Sequence, residues 1–144
     1  MREDASISIN EIQEQIIREM ARLDDWMEKY EYLIDLGRDL PPMETALRRD
    51  EYSIAGCQSQ VWLMPRMRDG RMNYVADSDA KITRGIIALV LRVLNNQPPR
   101  DIAAAELYFL DRTGLRSNLS PSRANGLAAI VKQMKAAAAA RMNT

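Results

Sequence analysis

Val61-Trp62-Leu63-Met64-Pro65-Arg66-Met67-Arg68-Asp69-Gly70-Arg71-Met72-Asn73-Tyr74-Val75-Ala76 is the stretch that removes this chain from the all-helical class. Val61 to Met67 is β-prone, and Asp69-Gly70 is a strong signal for a tight turn. Met72, Tyr74 and Ala76 then alternate with Arg71, Asn73 and Val75, the period of a strand with one buried face. A β-hairpin is therefore expected. Pro65 has no amide proton, so it places the first strand at an edge or a bulge, unless its nitrogen faces away from the ladder. A third strand is expected around Ser53 and Ile54.

Outward from the hairpin the period becomes helical. Ser8-Ile9-Asn10-Glu11 has the form of a capping box, and Ile9, Ile12, Ile16, Met20 and Leu23 follow at helical spacing, which predicts a helix to about Arg22. Asp24 or Asp25 caps a second helix with Trp26, Tyr30 and Leu33 on one face and Gly37 as a left-handed stop, so that the two form a helical hairpin. Residues 38–53 carry Pro41-Pro42 and mixed charges, and read as a surface connection with one helical turn. Asp77-Ser78-Asp79 supplies capping oxygens and negative charge ahead of a helix striped by Ile82, Ile86, Leu89 and Val93. Asn95-Asn96 and Pro98-Pro99 end it. A short helix around 100–112 stops at Gly114. Ser120-Pro121 opens a last helix with Leu127, Ile130 or Val131, and Met134 as its stripe. Ala136 to Ala140 favours helix but has nothing large to bury, so residues 136–144 are expected to fray. The expected class is α+β: a small antiparallel sheet with helices packed against it, in one domain spanning 1–144.

Composition removes several function classes. The 144 residues suffice for one core without staples. Twenty Lys+Arg balance twenty Asp+Glu, so there is no general field for nucleic acid or anionic lipid. No apolar run reaches membrane-spanning length and no signal-type N-terminus is seen, so the protein is expected to stay where it is made. One cysteine agrees with a reducing compartment, the cytoplasm. With no histidine and one cysteine, neither a Cys/His zinc site nor a Ser-His-Asp or Cys-His arrangement is possible. No EF-hand, P-loop or dinucleotide pattern is present, so neither metal nor cofactor is expected.

The chemistry left is that of Cys57. A lone cysteine is more often a small buried hydrophobe than a nucleophile. Here, however, Gly56 precedes it and Gln58-Ser59-Gln60 follows, a small polar setting that suits a loop tip. Its reactive form is the thiolate, which nearby arginines would favour. With no second thiol in the chain, whatever forms on Cys57 is resolved by another molecule, which suits a carrier that visits partners.

Ser53-Ile54-Ala55-Gly56-Cys57-Gln58-Ser59-Gln60-Val61-Trp62 resembles the active-cysteine segment of the SufE and CsdE sulfur acceptors. The resemblance extends through Trp26 to Tyr30, Leu33 to Gly37, Leu40-Pro41, Asp77 to Ala80, Gly85 to Ala88, and Leu119 to Arg123 with Gly126-Leu127, covering most of residues 23–140. Residues 1–22 are less diagnostic, and Pro65 and Asn95-Asn96 depart from the pattern.

The resemblance implies a SufE/NifU-like fold and a sulfur acceptor. Such a protein docks on a pyridoxal-phosphate-dependent cysteine desulfurase of the SufS or CsdA kind, stimulates it, and takes its outer sulfur onto Cys57. The sulfur then moves toward iron–sulfur cluster assembly on a SufB-like scaffold. The pyridoxal phosphate belongs to the partner, and the acceptor is a sulfur-transfer partner and not an enzyme.

The resemblance also implies that Arg123 and Asp79 support the cysteine loop. Arg123 reads equally as an exposed first-turn arginine, and the plainest role of Asp79 is to complement the dipole of its helix. Gly56, Gln58, Ser59 and Gln60 are expected to position the loop. Trp62, Trp26 and Tyr30 are expected in the core. Two other functions use the same residues: a one-cysteine thiol peroxidase or redox sensor, and an interaction module in which Cys57 is structural.

Overall fold

The computed structural model describes residues 7–54 and 59–142. Its elements are α1 (Ile9–Ala21), α2 (Trp26–Asp39), the antiparallel strands β1 (Val61–Arg68) and β2 (Arg71–Ser78), α3 (Lys81–Leu94), the short α4 (Pro99–Ala104) and α5 (Phe109–Arg112), and α6 (Pro121–Ala140). The expected α+β class is observed.

Local signals act as anticipated where their partners are a few residues away. Ser8 and Glu11 form both halves of the capping box, with Ser8 Oγ accepting from Glu11 N at 3.1 Å. The Asp25 side chain caps α2 at Glu28 N, and that of Ser120 caps α6 at Arg123 N. Asp69 and Gly70 both have positive φ, 54° and 79°, the conformation a two-residue hairpin needs to match strand twist. β1 and β2 pair in register from Val61↔Ser78 to Arg68↔Arg71. Met72, Tyr74 and Ala76 are buried, as their alternation predicts.

Packing decides the remainder. α1 and α2 do not lie along each other as a helical hairpin: α2 runs along α3, and α1 packs on α3 and α5. Gly37 is inside α2, which continues to Asp39, and is not its stop. Its missing side chain serves the crossing with α3. A Cβ on Gly37 would stand 2.7 Å from Gly85 N, and one on Gly85 would stand 2.1 Å from Leu33 O. These two glycines let the helix backbones touch. α3 is consequently buried on most sides, through Ile86, Ile87, Leu89, Val90, Val93 and Leu94.

The third strand is only a bridge, Ser53↔Trp62, with Ile54 N donating to Val61 O at 3.0 Å. Beyond β2, Asn95-Asn96-Gln97 takes the place of a strand. Asn95 Oδ1 accepts from Tyr74 N at 2.7 Å and its Nδ2 donates to Tyr74 O, while Met72 N donates to Gln97 O. Both backbone groups of Tyr74 thus point away from β1. Pro65, paired with Tyr74, accordingly has its nitrogen facing away from β2, which is how the strand tolerates it.

The helix expected over 100–112 is two pieces, α4 and α5, separated at 105–108. α6 continues to Ala140 with Ala138 fully buried, so the alanine run up to that point packs instead of fraying. Small side chains here allow close approach to the core. Trp26 and Tyr30 pack against that core, but Trp62 does not: it is half-buried on the opposite face of β1 from Val61 and Leu63.

Candidate functional site

Gly56, Cys57 and Gln58 lie outside the described residues. The residues that flank their segment are described: Ile54 N donates to Val61 O of β1 on one side, and Ser78 and Asp79, at the end of β2, hold Gln60 on the other. On the C-terminal side, Gln60 N donates to Asp79 Oδ1 at 3.1 Å and Ser78 Oγ donates to Gln60 O at 2.7 Å. Asp79 N also donates to Gln60 O at 3.3 Å. Gln60 is therefore held through its backbone, while its side chain is exposed. Asp79 stands just ahead of α3, which starts after Ala80 with no side-chain cap, and its carboxylate also accepts from Gln60 N.

On the N-terminal side the chain arrives through residues 40–54, which contain only the 3₁₀ turns Thr45–Leu47 and Asp50–Tyr52. Asp77 anchors this strap. Its carboxylate is fully buried and accepts from Met43 N at 2.9 Å, Ser78 N at 2.7 Å and Arg48 Nη2 at 2.9 Å, and it pairs with Arg84. Arg84 continues to the carbonyls of Gly37 (3.1 Å) and Leu40 (2.6 Å), tying off the end of α2. Arg48 also lies over the Trp62 ring, 5.1 Å from its centroid. Burial by itself would push the Asp77 carboxyl up; the bonds from Met43, Ser78 and Arg48 and the charge of Arg84 outweigh it and hold the group below the ordinary aspartate range.

Arg123, exposed at the first turn of α6, shares a cleft with Ser59. Val61, Thr83, Ile86, Ser122, Gly126, Leu127 and Ile130 complete its walls. The fold thus brings Ser59, Gln60, Asp79 and Arg123 to the end of the hairpin where the segment 55–58 is attached. The anchor residues Asp77, Arg84 and Arg48 were not legible as such. Asp77 looks like one more capping oxygen in sequence, because the strap groups it holds are 34 and 29 positions away. Among the described residues no group of carboxylates or other ligands is arranged to hold a metal ion, and no helix is long and apolar enough to cross a membrane.

Comparison with known proteins agrees with this architecture. Residues 14–138 match the family model described as SufE: Fe-S metabolism associated domain. An uncharacterised SufE-like protein of Rhizobium etli is 38% identical over 133 residues, 89% of this chain and 90% of the relative. Another, of Rhizobium meliloti, is 36% identical over 134 residues, covering 90% and 96%. The solution structure of a hypothetical protein from Thermus thermophilus shares the fold, with a TM-score of 0.76 at 16% identity, covering 92% of this chain and 97% of that one. A family match over nearly the whole of the hairpin, strap and helices, with relatives matched along most of their own length, means that this chain belongs to the SufE family of proteins associated with iron–sulfur metabolism.

Proposed function

We propose that the protein is a cytoplasmic sulfur acceptor: Cys57 takes sulfane sulfur from a cysteine desulfurase of the SufS or CsdA kind, stimulates that enzyme, and passes the sulfur toward a SufB-like iron–sulfur scaffold. The observation that carries the reading is the position of the chain's single cysteine. It lies in a short segment flanked by Ile54, bonded to Val61 of β1, and by Gln60, bonded to Ser78 and Asp79 at the end of β2, in a chain of a family associated with iron–sulfur metabolism.

The transfer is a thiol–persulfide exchange. The Cys57 thiolate attacks the outer sulfur of the desulfurase persulfide. A new S–S bond forms at Cys57 as the partner's S–S bond breaks, and the partner cysteine leaves as thiolate. The outer sulfur keeps its oxidation state, so no external oxidant or reductant is needed. Pyridoxal phosphate works in the desulfurase, where it releases sulfur from free cysteine, and this chain holds no cofactor of its own. Arg123, across the cleft from Ser59, supplies positive charge that favours a thiolate or perthiolate at the segment. Asp79, bonded to Gln60, steadies the segment's base.

Intact-protein mass spectrometry tests this after incubation with desulfurase, pyridoxal phosphate and cysteine. A reductant-sensitive sulfur adduct is expected on the wild type and none on Cys57→Ser. An adduct that survives in Cys57→Ser, or its absence from the wild type with several desulfurases, refutes the proposal.

A further inference from the structure

Helices α3 and α6 pack against the two-stranded sheet. Tyr74 points inward, its hydroxyl donating to Met134 O of α6. On the other face lie the side chains that alternate with the buried set: Trp62, Met64 and Val75, none of them part of the core, and toward the turn Arg66, Arg68 and Arg71. The strap reaches this face where Arg48 meets Trp62 and Asp77, and Leu40 and Pro41 share a cleft with Val75.

The three arginines are an unusual arrangement. Arg68 and Arg71 are direct cross-strand partners, and Arg66 is on the same face two residues from Arg68. Like charges placed opposite each other on a sheet destabilise it. Among the described residues no carboxylate pairs with any of the three; Arg71 donates only to the Asn96 carbonyl at 2.9 Å. The chain as a whole has zero formal charge, so this concentration is local and not a consequence of a basic composition.

We infer that the outer face of the hairpin is a docking surface for a protein partner with clustered carboxylates, which meets Arg66, Arg68 and Arg71 while half-exposed Met64 and Val75 supply apolar contact. The face is continuous with the Cys57 segment, because β1 begins at Val61 and Trp62 bridges to Ser53. An eight-residue strand spans about 25 Å. One side of a standard interface covers about 800 Å², a patch wide enough to reach from the segment to the arginines. The partner assigned is therefore the one that docks at Cys57, the desulfurase, and that assignment rests on the proposed function.

The test is the association rate with the desulfurase as a function of salt, for the wild type, Arg66→Gln/Arg68→Gln and Arg66→Glu/Arg68→Glu. Both arginines are exposed, and thermal melts verify that the variants fold. The glutamate variant is expected to associate at least about tenfold more slowly at low ionic strength, with the glutamine variant between, and the differences should close as salt screens the charges. Sulfur loading of Cys57 at saturating desulfurase should be unchanged. Equal rates and equal salt dependence would overturn the inference.

A second arm uses a glutamate-rich peptide and NMR of the wild type. If the wild type does not bind the desulfurase but the peptide shifts the signals of Arg66, Arg68 and Arg71, the docking face stands and the proposed function falls. No such shifts together with no desulfurase binding removes both. Tighter binding of an RNA oligonucleotide than of the peptide at the same residues would overturn the protein-surface assignment.

Discussion

Replacing Asp77 by asparagine should separate the strap from the rest of the protein. The carboxylate is fully buried and satisfies two backbone amides and two guanidinium groups. Asparagine keeps one oxygen and turns a second acceptor into a donor, which then faces an N–H it cannot accept. It also leaves Arg84, with its side chain only 19% exposed, without a counter-charge. Removing one partner of a buried pair costs about 3–5 kcal/mol. Because Arg84 and Arg48 keep some access to water, at 19% and 36% side-chain exposure, the expected loss is about 2–4 kcal/mol, or roughly 10 °C in Tm for a domain of this size.

Urea unfolding followed by tryptophan fluorescence measures this loss. Limited proteolysis should cut residues 40–54 first, since their two long-range bonds to Asp77 are gone. The pH dependence has a definite sign. A carboxyl whose folded pKa is depressed contributes stability that is fully present above the ordinary aspartate value near ~3.9. That contribution is lost as pH falls through the lower folded value. The gap between wild type and variant should therefore be constant from pH 5 upward and shrink below about pH 4. A loss under about 0.5 kcal/mol at pH 7 would refute the reasoning, since surface substitutions alone produce that much.

Two further outcomes follow from the packing. Gly85→Ala places a methyl group 2.1 Å from Leu33 O, so α2 and α3 must separate; a loss of about 1–3 kcal/mol in thermal or urea unfolding is expected, and a neutral result would mean the helix backbones do not touch. Tyr74→Phe removes the 2.6 Å bond to Met134 O, a carbonyl inside α6, for an expected loss of about 0.5–1.5 kcal/mol. Burial raises the Tyr74 phenol well above the ordinary range, so its contribution is present below pH 10 and lost above it; ultraviolet titration that finds every tyrosine ionising together near pH 10 would contradict this.

The parts of the fold that were legible in the sequence share a short range. The capping box at Ser8, the caps at Asp25 and Ser120, and the turn at Asp69-Gly70 are each satisfied within a few residues. The alternation of Met72, Tyr74 and Ala76 reports directly which face of β2 is buried. The family was legible too, because the residues around Cys57 make a motif without reference to the fold. Gly37 was misread because an internal glycine looks the same whether it ends a helix or admits another one; only Gly85 opposite it distinguishes the two. Trp62 was misassigned because aromatic residues in a strand are equally compatible with either face, and the strap with Arg48 determines which.

By itself, then, the sequence determined most of the element types, the hairpin turn, the α+β class and the chain's single thiol, since all of these depend on residue identity, local geometry and periodicity. Only the tertiary structure decided that α2 packs on α3, that Asn95 extends the sheet in place of a strand, that Asp77 anchors the strap at Met43 and Arg48, and that Asp79 holds Gln60. Those contacts join groups up to 34 positions apart in the case of Asp77. A buried carboxylate finds its partners wherever folding puts donors, and no spacing along the chain encodes that.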